Sequence, residues 1–322
     1  MSHREAFSPG APCAAMRHRA LRALLLFALT LSSAEARAAA CCVSATAFGV
    51  GRLLVWEDFA VGVQLGHTRV LGQWNAQRSL RLFQPGEFSD GLTRVEPWAI
   101  VRLGDRVQVQ ARVPMVVNDR AVAGLSQVAG GLGDVGAAVR LEAISLGEFE
   151  RLPSLGFTLG VLGPTGRRAE QVAPPLGAGV TGRGAWGGSV ALESEYTWLP
   201  WYLRLDAGLT VYAPFRRADT NASQWYGPVV QAALSGGREV VPDKLVLALS
   251  AQVEWEAPHS LDGERIETSR GFLPSLVASL SWRAAPHWTL VTSLSGSVWP
   301  SGFAQNRDAR VGLVIGGRYG HF

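Results

Sequence analysis

The stretch GGLGDVGAAVRLEA, residues 130–143, carries two messages in one register. From Asp134 onward, one set of alternate residues is Asp134, Gly136, Ala138, Arg140 and Glu142. The other is Val135, Ala137, Val139, Leu141 and Ala143. Strict alternation marks a strand with one polar and one apolar face. In a soluble sandwich the apolar face looks into a core. In an outer-membrane barrel it looks out at lipid, and the charges line the interior.

The same code recurs along the chain. In YLRLDAGLTVY, Leu203, Leu205, Leu209 and Val211 oppose Arg204, Asp206 and Thr210. In LALSAQVEW, Leu247, Leu249, Val253 and Trp255 oppose Ser250, Gln252 and Glu254. SLVASLSWR sets Leu276, Leu280 and Trp282 against Ser275, Ser279 and Arg283. The pattern predicts twelve strands near 59–70, 92–103, 106–117, 133–145, 153–163, 187–198, 201–213, 225–236, 244–256, 271–283, 287–299 and 309–322. One alternating strand decides nothing, because any antiparallel sheet produces it. The links decide: they run long, short, long, short, as in outer-membrane barrels, whose periplasmic turns are short and outer loops long. Twelve strands then leave both termini in the periplasm.

The aromatics point the same way. Trp198, Trp201, Tyr202, Trp282 and Trp288 gather at short links, and Trp186, Trp225, Trp255 and Trp299 at the opposite strand ends. Two such belts are expected where rings sit at lipid headgroups. The fold class expected is all-β, a twelve-stranded antiparallel up-and-down transmembrane β-barrel over residues 59–322. At the C-terminus, Leu313, Ile315 and Tyr319 share a parity that Phe322 lacks, so a bulge or an inward turn is expected there.

Residues 1–40 read as a leader and cleaved signal peptide. Arg17, Arg19 and Arg22 precede the apolar run 23–31, which is too short to span a bilayer as a helix, and small residues follow at 38–40. These forty residues hold five arginines and two glutamates, so the formal +4 of the chain falls to about +1 without them. Nothing remains of a nucleic-acid footprint. Cys41 and Cys42 are adjacent, which supports neither a disulfide framework nor a metal site. Lipidation of Cys41 is one alternative; a vicinal pair in a periplasmic N-terminal segment, residues 41–58, fits better. That segment is expected to be periplasmic or to fold partly into the lumen as a plug.

GGLGDVGAAVRLE, followed by LGFTLGVLGPTG (155–166) and PLGAGVTGRGAWGGSVALESEY (175–196), resembles bacterial barrels of the MetA-pathway of phenol degradation family. The resemblance covers roughly 96–202. It implies an outer-membrane barrel tied to uptake of small, often aromatic or hydrophobic compounds.

Chemistry is sparse. Past the leader the histidines are His67, His259, His287 and His321, and none has a convincing serine partner for a phospholipase-like pair. An autotransporter needs a large passenger upstream, which 41–58 cannot be. No enzyme, no cofactor and no metal are expected. The candidate site is the lumen, lined by Glu96, Arg102, Arg112, Asp134, Arg140, Glu142, Glu193, Glu195, Arg204, Asp206, Glu254 and Arg283. Two readings of that lining stay open. One is the selectivity lining of a narrow channel or facilitator for small solutes. The other is a satisfied ladder of ion pairs in a closed structural or surface-interaction barrel. Expected partners are outer-membrane lipid, the barrel-assembly machinery during insertion and a small solute.

Overall fold

Runs that alternate polar and apolar side chains are stable only where each face meets its own medium, and a sheet closed on itself provides two media without exposing an edge. A computed structural model describes residues 51–84, 86–149, 151–297 and 299–322. The leader, its cleavage region and Cys41 lie outside the described residues.

The strands are β1 (Phe59–Trp74), β2 (Leu80–Leu82), β3 (Phe88–Gly104), β4 (Val107–Arg112), β5 (Met115–Val122) and β6 (Leu125–Leu132). Next come β7 (Gly136–Ile144), β8 (Ser154–Leu162), β9 (Gly187–Trp198), β10 (Trp201–Tyr212), β11 (Phe215–Arg216), β12 (Ser223–Trp225) and β13 (Val229–Val241). The last are β14 (Leu245–Glu256), β15 (His259–Leu261), β16 (Glu264–Ile266), β17 (Gly271–Ala285), β18 (Trp288–Gly296) and β19 (Arg307–His321). Twelve of them form the wall in the order β1, β3, β4, β7, β8, β9, β10, β13, β14, β17, β18, β19, each antiparallel to the next. β1 pairs with β19 on one side (Leu65 opposite Ile315) and β3 on the other (Leu65 opposite Val95), so the barrel is closed.

The links sort by length. Those at 105–106, 145–153, 199–200, 242–244 and 286–287 form one end, and 75–87, 163–186, 213–228, 257–270 and 297–306 the other. The long links are not irregular throughout. β11, β12, β15 and β16 make a separate four-stranded sheet, and the tight turn of β15 and β16 uses Asp262 and Gly263, both at positive φ.

One long link differs from expectation. Between β4 and β7 the chain breaks at 113–114 and 133–135, but in between it continues as the hairpin β5–β6. β5 pairs with the first half of β3, and β6 pairs only with β5 (Met115 opposite Leu132). Pro114 has no N–H for a ladder, so it interrupts the strand without turning it.

Along the wall strands most exposed alternates are apolar: Val61, Val63 and Leu65 on β1, Val139 and Leu141 on β7, Leu203 and Leu205 on β10, Leu313 and Ile315 on β19. Their neighbours, among them Arg140, Glu142, Arg204 and Asp206, are buried. The core of this protein is therefore polar, and its outer surface is a hydrophobic band. Phe322 lies past the last strand and stacks on His287, ring centroids 4.6 Å apart, instead of turning inward.

Candidate functional site

The inner wall has two unlike halves. On β3, β4, β7, β8, β9 and β10 it carries most of the charges, beside one uncharged row, Gln110, Ala138, Gly160, Ser189 and Thr210, whose first four residues line a cavity. Arg204 donates from Nε and Nη2 to Asp206 (2.9 and 2.8 Å) and from Nη2 to Glu193 (2.9 Å). Arg140 pairs with Glu193 and stands 3.6 Å from Glu142, which accepts from Gln108 at 2.9 Å. Thr158 donates to the other oxygen of Glu193 (3.1 Å), and Glu96 meets Arg94 and, at 3.9 Å, Arg112. Charges removed from bulk water persist only when paired in this manner.

On β13, β14, β17, β18, β19 and β1 the inward residues of the middle are small and uncharged. The register carries one row across six strands: Gly237, Ala248, Ser279, Ser293, Val314 and Gly66. A parallel row runs Ser235, Ser250, Val277, Ser295, Gly312 and Thr68. An aromatic ring borders this half on each side. Trp98 of β3 lies over Gly62, and Tyr202 of β10 lies over Gly237; a Cβ at either glycine would collide with the ring.

At the short-link end, residues 51–57 lie inside the wall. Arg52 donates to Glu195 (2.9 Å) and Ser154 (3.3 Å), and the Leu53 N–H donates to Gln108 (3.0 Å). Arg102 holds the carbonyls of Glu57 (2.9 Å) and Leu54 (2.7 Å). Arg318 of β19 grips the Glu57 carboxylate with both Nη atoms, at 2.6 Å for Nη1. Leu53 packs on Ala60, Trp98 and Ile100. Outside the wall at this end, Glu148 accepts the Ser145 N–H and an Arg106 guanidinium bond, which hold its carboxyl below the usual range.

At the long-link end, residues 163–186 cross the mouth. On one side, Asn118 of β5 donates to the carbonyls of Ala178 and Val180, both at 2.7 Å. On the far side, Arg183 pairs with Glu256 of β14 (2.6 Å), and its guanidinium lies over the rings of Tyr212 and Tyr226. The crossing is fastened at Asp134, whose carboxylate accepts the backbone N–H groups of Gly166 (2.9 Å), Arg183 (2.7 Å) and Gly184 (3.2 Å). A Cβ on Gly182 would stand 2.6 Å from that carboxylate. Thr165 adds bonds to the Gly133 carbonyl (2.5 Å) and from the Val135 N–H (3.0 Å). The same crossing covers the edge that β6 leaves without a strand, with Thr181 donating to the Leu132 carbonyl (2.6 Å) and Arg167 to that of Gly130.

The structure brings together Glu96, Arg112, Arg140, Glu142, Glu193, Glu195, Arg204 and Asp206 on one inner half. Arg102 faces inward but serves 51–57. Glu254 lies apart, 3.0 Å from Gln231 and near Arg307, and Arg283 lies near the opposite end of β17. Asp134 is in neither β6 nor β7; it fastens a loop and does not line a strand face. Of the aromatics, Trp198, Trp201, Trp282, Trp288, Trp186 and Trp255 are exposed. Tyr202 is not: it follows Trp201 directly, so alternation turns it inward, where it is buried. Trp225 donates to the Tyr212 carbonyl (2.8 Å) from the four-stranded sheet, and Trp299 packs on Trp74 and donates to the Pro274 carbonyl (2.7 Å). Neither belongs to a belt. His67 faces outward with Nδ1 3.0 Å from the Thr93 hydroxyl, and His259 meets Glu256 at 2.9 Å. Among the described residues no group of three or more His, Cys, Asp or Glu side chains is placed to hold a metal.

The chain is similar to the COG4313 outer membrane channel from Pseudomonas putida F1, at 15% identity and a TM-score of 0.69, over 84% of this chain and 97% of that one. The fold is that of an outer-membrane β-barrel. Two more distant likenesses add nothing to that: the beta domain of the Bordetella autotransporter BrkA (TM-score 0.46, 14% identity, 80% of this chain and 99% of that one) and the CymD monoaromatic hydrocarbon channel (0.40, 8%, 83% and 89%). No protein-family model matches the chain, and no curated protein does.

Proposed function

We propose that the protein is a passive channel or facilitator for small solutes in the outer membrane, with the short links and both termini in the periplasm. The observation that carries this is the small-residue half of the inner wall. A barrel meant only to be solid would fill its interior from all sides, as the charged half does from one. Rows of Ser, Gly, Ala and Val leave that filling out. Residues 51–57 and 163–186 narrow the two ends. The resemblance of 130–143 and 155–196 to the phenol-degradation family supports aromatic or hydrophobic solutes, and the exposed apolar band supports lipid as the surrounding medium. Insertion of such a band calls for the barrel-assembly machinery.

The closed structural barrel is the second reading, favoured by the dense pairing around Arg204 and Glu193 and by the segments at both ends. Planar-bilayer conductance and liposome swelling with purified protein decide between them. The channel reading expects discrete conductance steps from protein whose gel mobility is heat-modifiable. Folded protein that neither conducts nor swells liposomes leaves the closed barrel standing.

A further inference from the structure

The lumen is not a uniform tube, and its asymmetry names the route. We infer that solute moves along the half formed by β13, β14, β17, β18, β19 and β1, and that the charged half opposite is a fixed filling that solute does not traverse. The inference rests on the channel reading and goes beyond it by assigning the track, its residues and the solute class it takes.

Three observations support it. Long side chains project from the charged half and are tied to one another: Glu193 alone is held by Arg140, Arg204 and Thr158. Displacing one partner to admit solute would strand its buried counter-charge, which is costly. Across the lumen, the row Gly237, Ala248, Ser279, Ser293, Val314 and Gly66 holds nothing larger than valine, so no long side chain projects from that side. Half of the six hydroxyls in the two rows are occupied. Ser235 and Ser250 bond to each other at 2.6 Å, and Ser295 donates to the Gly312 carbonyl at 3.3 Å.

A wall of small aliphatic groups and a few hydroxyls, half of them already bonded, neither binds ions tightly nor demands that a solute replace many lost hydrogen bonds. Trp98 and Tyr202 close the two margins with ring surface. The track therefore favours small uncharged molecules, flat or aliphatic, and grips neither ions nor sugars, so KCl and arabinose report its free width.

The test places one cysteine at a time in the full chain after Cys41→Ser and Cys42→Ser. The sites are Ser279→Cys and Ser293→Cys on the track, and Thr158→Cys on the charged half. Folding is checked by heat-modifiable mobility, and labelling with a benzyl methanethiosulfonate by mass. The readouts are arabinose swelling of liposomes and KCl conductance. Labelling at Ser279 or Ser293 is expected to cut both by about tenfold, as bulk added to a narrow pore does, while Thr158→Cys stays close to the parent. The inference is overturned if Ser279→Cys and Ser293→Cys refuse the reagent or take it without loss of flux, or if labelled Thr158→Cys blocks equally. An unlabelled parent inert in both arabinose and KCl is a different failure: it removes the channel reading, and the track with it.

Discussion

Replacing Asp134 by alanine should release the crossing at 163–186 and leave the wall intact. The carboxylate accepts three backbone N–H groups, from Gly166, Arg183 and Gly184, at 2.7 to 3.2 Å. Bonds to a charged acceptor are worth about 1.5–3 kcal/mol each when buried, but bonds sharing one carboxylate do not add, and Asp134 is half-buried. A net local loss of about 3 kcal/mol follows, which at 1.4 kcal/mol per decade is roughly a hundredfold rise in local opening. Asparagine keeps one acceptor oxygen and loses the charge, so about half that loss is expected. Hydrogen exchange read by mass spectrometry measures it directly. Peptides covering 163–186 should exchange much faster in the alanine variant, and those from β10 and β14 should not change. If 163–186 keeps parental protection, Asp134 is not the fastening. If β7 and β8 loosen equally, its role is in the wall after all.

Three more outcomes are expected. Arg318→Ala leaves the buried Glu57 carboxylate without its guanidinium, a loss of about 3–5 kcal/mol for a broken buried pair; it should raise conductance severalfold and open 51–57 to protease, and parental values for both would refute a fastening role. Gly62→Val and Gly237→Val drive a side chain into the Trp98 and Tyr202 rings and should cost about 1–3 kcal/mol by overpacking. The urea midpoint of the mobility shift reports that loss, Trp98→Ala should relieve the first of them in part, since the Gly317 carbonyl also stands 2.6 Å from that Cβ, and strict additivity of Gly62→Val with Trp98→Ala would reject the ring contact. Cysteine at Asn221, in a long link, should react with an impermeant reagent on intact cells, and cysteine at Leu199, in a short link, should not; equal or reversed labelling rejects the orientation.

Strand number and most strand limits are legible in the sequence because a wall strand has two media and so must alternate. The segments read at 187–198 and 201–213 match β9 and β10 nearly residue for residue. The limits fail where alternation persists outside the wall. The strand expected at 225–236 is β13 at Val229–Val241, because Trp225 belongs to the small sheet beyond it. The hairpin β5–β6 was missed because the strand read at 106–117 runs through Pro114 and stops inside β5, which continues to Val122 and turns at Ala123 and Gly124.

The interior was legible by parity and no further. Arg140, Glu142, Arg204 and Asp206 face inward as the pattern requires, yet parity cannot say that these charges crowd together on one half; that needs the order of strands around the closed sheet. Asp134 shows the limit. It shares the parity of Arg140 but sits past the end of β7, where parity has no meaning, and Thr165, Gly166, Gly182 and Gly184 were visible only as a motif with no stated purpose. Arg52 and Glu57 were missed because a non-alternating segment such as 51–57 gives no periodic signal, and Arg318, inward on β19, was missed because its partner Glu57 lies in that segment.

The seam between β1 and β19 also bears on how the barrel can close. Trp74 lies opposite Arg307 and Phe59 opposite His321, so the circle is completed by pairing the first strand of the wall with the last. Bringing its two sides together across the rest of the chain costs about 5 kcal/mol of closure entropy, a sum that changes little with loop length. The ladder between the two strands outweighs that cost only when most of it is in place. Until then β1 presents a bare row of donors and acceptors beside an apolar face, which is the arrangement that draws in foreign strands. The nascent barrel is thus most at risk one strand short of completion, and a shortened β19 should fail by aggregation before insertion and not by leakage after it.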